Sequence, residues 1–155
     1  MQVAVFDWVA RHAQRHPRRN AVVDIDVGRT LSYGELDQRA CRLASFLSDE
    51  LRVAKGDRVA ILARNSVEFV ALEAACVKTG ALMVPLNWRL SASELAYQVG
   101  QSGPQVLLYG EDFVDLAHEM ARRCTLRHLL DFRYDGGDSS LQRALERSTT
   151  AFAPV

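Results

Sequence analysis

Residues Gly80 to Leu95 read G-A-L-M-V-P-L-N-W-R-L-S-A-S-E-L. Ala81 to Leu86 is an apolar run of strand length, and Ser91-Ala-Ser-Glu94 has the spacing of a capping box. In that arrangement the serine hydroxyl accepts the N3 amide while the glutamate reaches back to the cap amide, so a helix opens at Ser91. It runs toward Gln101, and Gly103-Pro104 breaks it. Pro85 has no N–H to give to a ladder, which puts it at a strand end or on a sheet edge. A strand, a turn and a capped helix in succession form the unit from which layered α/β folds are built.

The same grammar extends in both directions. Upstream, Ser32-Tyr-Gly-Glu35 is another capping box, and Leu36, Ala40, Leu43, Ala44, Leu47 and Leu51 recur at helical spacing behind it. Lys55-Gly56-Asp57 turns into Arg58 to Ala63, a nearly continuous apolar run of the kind found in strands covered on both faces. Asn65-Ser-Val-Glu68 reads as a further cap, with Asn65 as the capping residue, for a helix that ends at Lys78 before Gly80. Downstream, Gln105 to Tyr109 is a strand, Asp112 to Arg123 a helix and Arg127 to Asp131 a weaker strand.

At the N-terminus a helix is expected from Val3 to His16, with Val5, Trp8, Val9 and His12 or Ala13 on one stripe. A hairpin follows over Ala21 to Asp26 and Thr30 to Ser32 around Gly28. Strands alternating with helices imply right-handed crossovers. The expected fold is therefore α/β, a doubly wound, largely parallel sheet with helices on both faces. Residues 1–132 make up this subdomain, and 133–155 read as a linker or frayed tail with room for a short helix over Ser140 to Arg147.

A chain of 155 residues suits one domain able to bury roughly two thirds of its unfolded surface. Nineteen basic and nineteen acidic side chains cancel, so no long-range attraction to nucleic acid or to an anionic membrane is built in. Arg11, Arg15, Arg18 and Arg19 gather around the first helix, but no aromatic ring is interleaved with them for base stacking. They read as a solvated face. Cys41, Cys76 and Cys124 have no C-x-x-C spacing and indicate a reducing compartment, and Asp7 interrupts the first apolar stretch, unlike a secretory signal. No run approaches the roughly 18 apolar residues of a membrane span. A cytoplasmic protein is expected.

Most candidate chemistry has a structural explanation. The chain has neither G-x-G-x-x-G nor a Walker loop, and the one glycine doublet, Asp135-Gly-Gly-Asp138, is flanked by acids that would repel a phosphate. His12 and His16 stand four apart without the glutamate of a zinc-protease helix or a third ligand. His118 and His128 near Cys124 suggest a Cys-His pair, yet no orienting group or oxyanion donor accompanies them. Glu35, Glu68 and Glu94 are each expected to act as cap residues. No catalytic residue and no metal ligand is assigned.

Arg89 is different. It follows a strand and precedes a helix N-terminus, where ligands bind beyond the carboxyl ends of parallel strands, and a guanidinium there can hold a phosphate with two hydrogen bonds. Two roles stay open for it: a ligand contact, or an ion pair with an acid such as Glu94. Trp88 beside it can cover the core or line a subunit surface.

Leu31 to Leu36 (L-S-Y-G-E-L), Gly56 to Leu62 (G-D-R-V-A-I-L), Asn65 to Phe69 (N-S-V-E-F) and Val84 to Leu95 occur in the order found in one family. Up to Asp131 the chain resembles the adenylate-forming acyl-activating ligases, and its V-P-L-N-W-R-L block looks like the acyl-CoA synthetase branch. The resemblance implies the flavodoxin-like subdomain that begins the large N-terminal domain of those enzymes. It implies ATP, Mg2+ and coenzyme A for a complete enzyme, with Arg89 at the position that reaches a coenzyme A phosphate in some members. The family's Gly-rich Pro-Lys-Gly loop, Thr-Glu pair, ribose aspartate and C-terminal lysine have no counterpart in these residues. The expectation is thus the N-terminal part of an acyl-CoA synthetase, truncated, holding no cofactor and not competent alone. Its partner would be the remainder of the large domain, or a second copy meeting it through exposed apolar surface. A standalone binding module or a complementing half is the alternative.

Overall fold

The computed structural model describes residues 6–152, so Val3 and Val5 of the expected first helix lie outside the described residues. Helix α1 (Trp8–Arg15) is capped by Asp7, whose carboxylate accepts the amide of Ala10 at 2.9 Å. The hairpin β1 (Asn20–Asp24) and β2 (Arg29–Ser32) pairs antiparallel as a separate two-stranded sheet. Helix α2 (Tyr33–Ser45) starts on the expected capping box, with Ser32 and Glu35 exchanging bonds. Leu36, Ala40, Leu43 and Ala44 form its buried stripe. A π-helical turn over Phe46–Glu50 then alters the spacing, and Leu51 ends half-buried against the core.

Four parallel strands form the main sheet: β3 (Arg58–Leu62), β4 (Leu82–Leu86), β5 (Val106–Gly110) and β6 (His128–Phe132), in the order β4-β3-β5-β6. The chain leaves β3 for one side of the sheet through α3 (Val67–Thr79), then returns through α4 (Ala92–Ser102) to the other side, so winding reverses between β3 and β5. A short 3₁₀ turn over Glu111–Phe113 leads into α5 (Val114–Ala121), shorter than the single helix expected to Arg123. Pro85 lies on the edge strand β4, as its missing donor requires.

Side-chain alternation along the strands sorts the core into two layers. Val59, Ile61, Val106 and Leu108 face α2, α3 and α6 (Ser140–Arg147). Ala60, Leu62, Leu107 and Tyr109 face α4 and α5. Both faces are covered, and the central strands are correspondingly apolar and buried, β5 throughout and β3 from Val59 onward. Gly80 ends α3 at φ 71°, a left-handed conformation that would strain a side-chain-bearing residue. Among the described residues no helix is long and apolar enough to cross a membrane.

The short helix allowed for at Ser140 forms as α6, and its packing exceeds what a linker needs. Leu141, Ala144 and Leu145 are buried in the same cluster as Phe132 and Tyr134. Ser140 also fastens the end of β6: its hydroxyl accepts the amide of Asp131 at 2.9 Å and donates to the Asp131 carboxylate at 2.5 Å. Burial alone would raise the pKa of Asp131, but the bonds from Ser140 outweigh it and hold the carboxyl below its usual range.

One cap differs from expectation. Ser66, in extended conformation, accepts the amide of Phe69 at 3.3 Å and so displaces Asn65 as the cap of α3. Glu68 is then released from any capping role. Its side chain, 1% exposed, meets Arg29 of β2 at 2.7 Å and Arg39 of α2 at 2.8 Å. Lys78, near the other end of α3 and 4% exposed, bonds Asp7 at 2.7 Å and Asp37 at 2.6 Å. Burial pulls its pKa down, yet these two carboxylates prevail and hold the ammonium above its ordinary value.

Replacing one member of a buried ionic group leaves the others without compensation. Glu68→Gln should therefore lower stability by about 3–5 kcal/mol, read as a fall in the urea midpoint at unchanged m-value.

Candidate functional site

The carboxyl ends of β3, β4 and β5 gather the residues that could meet a ligand. Beyond β4 the chain turns at Asn87, whose side-chain oxygen accepts the amide of Arg89 at 3.1 Å and whose carbonyl accepts that of Leu90 at 3.0 Å. Ser91 then opens α4: its amide and hydroxyl both donate to Glu94, at 2.9 and 2.7 Å. These bonds hold the Glu94 carboxyl below its usual pKa and occupy it. The ion pair considered between Arg89 and Glu94 does not form.

Arg89 is exposed and lays its guanidinium over the Trp88 ring, 4.0 Å from the centroid. Trp88 is itself seated against Phe113, with centroids 5.7 Å apart, on the α4 and α5 side of the sheet. One face of the indole covers the core while the ring carries the cation, an arrangement that stiffens a long side chain. Among the described residues Arg89 has no acidic partner, so its charge is free for an anion.

The reversal point between β3 and β5, where an open α/β sheet offers its crevice, is filled by the protein itself. The phenol oxygen of Tyr134 accepts the amide of Arg64 at 3.2 Å, just past β3. The same oxygen lies over Gly110 at the end of β5, where an added Cβ would come within 2.3 Å of it. Phe132 supports the ring edge-on at 5.5 Å, and burial raises the pKa of the phenol. Outside it, Arg64 pairs with Asp112 at 2.7 Å, and Glu111 accepts the amide of Tyr134 at 3.3 Å. A hollow of about 60 Å³ remains beside Tyr134, bordered by Asp24, Asp26 and Val27. Arg64 and Asn65 complete its lining, and it is too small for a triphosphate.

Sequence reasoning did not single out Tyr134 or Gly110. The available signal was Gly110 ending an apolar run, which marks a close approach of another group.

The remaining candidates do not assemble. His12 stacks in a row with Trp8, His16 and Tyr33, the last at 4.8 Å. No group of three or more histidine, cysteine or acidic side chains among the described residues could hold a metal ion. His118 meets the hydroxyl of Tyr109 at 3.3 Å, whereas Cys124 donates to the carbonyl of Met120 at 3.3 Å, so the imagined Cys-His pair is absent. Burial raises all three thiols, Cys76 to about 12, which keeps them protonated near neutrality. In the glycine doublet, Asp135 accepts the Gly137 amide at 2.8 Å and Asp138 pairs with Arg143 at 2.6 Å, an ordinary turn.

The sequence model of the family described as AMP-binding enzyme matches residues 9–151. The long-chain-fatty-acid–CoA ligase FadD13 of Mycobacterium tuberculosis is 40% identical over 104 residues, 66% of this chain and 20% of that protein. The indoleacetate–CoA ligase of Aromatoleum aromaticum is 36% identical over 148 residues, covering 94% of this chain and 28% of its own length. Among solved structures, the N-terminal domain of FACL13 from Mycobacterium tuberculosis superposes with a TM-score of 0.82 at 31% identity, over 96% of this chain and 37% of that one. The anthranilate CoA ligase AuaEII, at 22% identity, gives a TM-score of 0.87 over 99% of this chain and 29% of its own, a likeness of fold. This chain spans 20% and 28% of the two curated ligases.

Because the Tyr134 oxygen occupies the space above Gly110, Gly110→Ala should destabilise the fold by about 1–3 kcal/mol, the usual range for overpacking. In a Tyr134→Ala background the same change should cost less, and additive urea-denaturation energies across the double-mutant cycle would refute this packing account.

Proposed function

Since the chain belongs to the AMP-binding enzyme family, we propose that it forms the N-terminal α/β subdomain of an ATP-dependent acid–coenzyme A ligase and acts as a scaffold layer of that enzyme. The complete reaction joins a carboxylic acid to ATP, forming an acyl-adenylate with release of pyrophosphate, and then passes the acyl group to the coenzyme A thiol with release of AMP. The observation that carries the scaffold reading is the Tyr134 plug: the crevice at the β3 and β5 ends is closed by the chain's own side chain. No Gly-rich loop elsewhere in the sequence offers the converging backbone amides that a triphosphate and its Mg2+ require. The residues present do not fit ATP, and the adenylation step belongs to other parts of the ligase.

Arg89 does fit one group of the complete reaction. Its exposed guanidinium, steadied on Trp88 and free of acids, suits a phosphate of coenzyme A. Exposed apolar side chains support a covering partner: Val23, Ile25 and Val27 on the hairpin, Leu82 on β4 and Tyr97 on α4. The remainder of the large domain is the partner this reading selects, and a cytoplasmic setting accords with three free cysteines.

The purified chain should show no carboxylate-dependent exchange of pyrophosphate into ATP, and measurable exchange would overturn the scaffold reading. Arg89 is tested in a hybrid carrying this segment in place of the matching region of FadD13. There Arg89→Ala should raise the KM for coenzyme A about tenfold, the equivalent of one lost charge-assisted contact, while pyrophosphate exchange stays unchanged. An unaltered KM would remove Arg89 from the site.

A further inference from the structure

Between α2 and α6 lies a solvent-open groove of about 200 Å³, lined by Arg29, Arg39, Arg42, Gln38, Gln142 and Glu146 among others. Three guanidinium groups therefore converge on one small space. Among the described residues, the only carboxylate within ion-pair distance of any of them is Glu68, which Arg29 and Arg39 already saturate from beneath the groove. Arg39 turns its outer nitrogens to the Gln142 side-chain oxygen at 3.2 Å. Arg42 gives one N–H to the carbonyl of Leu145 at 3.3 Å, and its other donors have no protein acceptor among the described residues.

Two more acids stand at the rim; they keep their charge but bond neutral donors and reach none of the three guanidinium groups. Glu35 holds the Ser32 cap, accepting both its amide and its hydroxyl, and Glu146 accepts from the Gln142 amide at 3.0 Å. The trio of Arg29, Arg39 and Glu68 carries one excess positive charge at the groove floor and Arg42 adds a second on its wall, while Glu35 and Glu146 at the rim balance them in sum without pairing with any guanidinium. Arg42 is half-buried with no carboxylate in contact, and a guanidinium fork matches the spacing of oxyanion oxygens.

We propose that this groove binds a small oxyanion of the phosphate class, gripped by Arg42 and the outer edge of Arg39 with Gln38 as an added amide donor. The site is separate from the coenzyme A contact assigned to Arg89 and does not depend on it. Free phosphate and a phosphate ester share this chemistry, and the size of the groove admits either.

Isothermal titration of the 155-residue chain with inorganic phosphate, in chloride buffer of matched ionic strength, should give saturable binding. Glycerol phosphate in a parallel titration separates the sources: tighter binding than phosphate points to an ester, weaker binding to the free ion. Arg42→Gln should weaken phosphate binding at least about tenfold, whereas Glu146→Gln, which removes a rim charge at an exposed position, should tighten it. Arg133→Gln, an exposed arginine elsewhere, should leave it unchanged. Absence of saturable binding in the parent chain, or equal binding by the Arg42→Gln and Glu146→Gln proteins, overturns the proposal.

Discussion

The Glu68 carboxylate, almost withdrawn from water, ties the hairpin to the helical layer that covers one face of the sheet. It sits near the start of α3 and receives Arg29 from the hairpin and Arg39 from α2. Arg29 continues to the carbonyl of Tyr134, and Arg39 to Gln142 on α6. The hairpin has no fully buried residue of its own, so this ionic node fixes its position more than hydrophobic burial does. Such a node is worth less as raw stability than an apolar core of equal volume, but it is selective, because displacing either arginine strips a partner from a carboxylate almost withdrawn from water. Lys78 repeats the device at the other end of the helix with carboxylates from Asp7 and Asp37. The acid stands near the N-terminus of α3 and the cation near its C-terminus, the order the helix dipole favours.

The position of Tyr134 follows from that frame. The segment after β6 turns back over the sheet, held by Arg29 at the Tyr134 carbonyl and by α6 in the core, so the phenol comes to rest on Gly110. The winding reversal that would create a binding crevice is present in the strand order and stoppered in the structure. The exposed Arg89 and the Trp88 ring beneath it stand instead at the neighbouring β4 end.

What the sequence made legible was local. Ser32 with Glu35 and Ser91 with Glu94 were readable because a capping box closes within three residues, and both formed. The strands announced themselves through continuous apolar runs, and Pro85 marked its edge. Asn65 and Ser66 can both cap a helix, and only the backbone angles chose between them, which freed Glu68 for another role. Its partners lie 39 and 29 residues away, a distance at which spacing carries no information. The same holds for Tyr134, 70 residues from the amide it meets. Helix α6 is short and polar in composition, and its membership of the core shows only when Leu141 and Leu145 find the sheet.

Both margins of the parallel sheet are poor templates for another strand. On β4, Pro85 removes a donor, and on β6 the amide of Asp131 is already spent on Ser140. Stacking of identical chains edge to edge into cross-β fibrils is accordingly disfavoured for this sheet, even though its strands are among the most hydrophobic segments of the protein. The hairpin, with Ile25 85% exposed, is where clumping would begin if a preparation were concentrated.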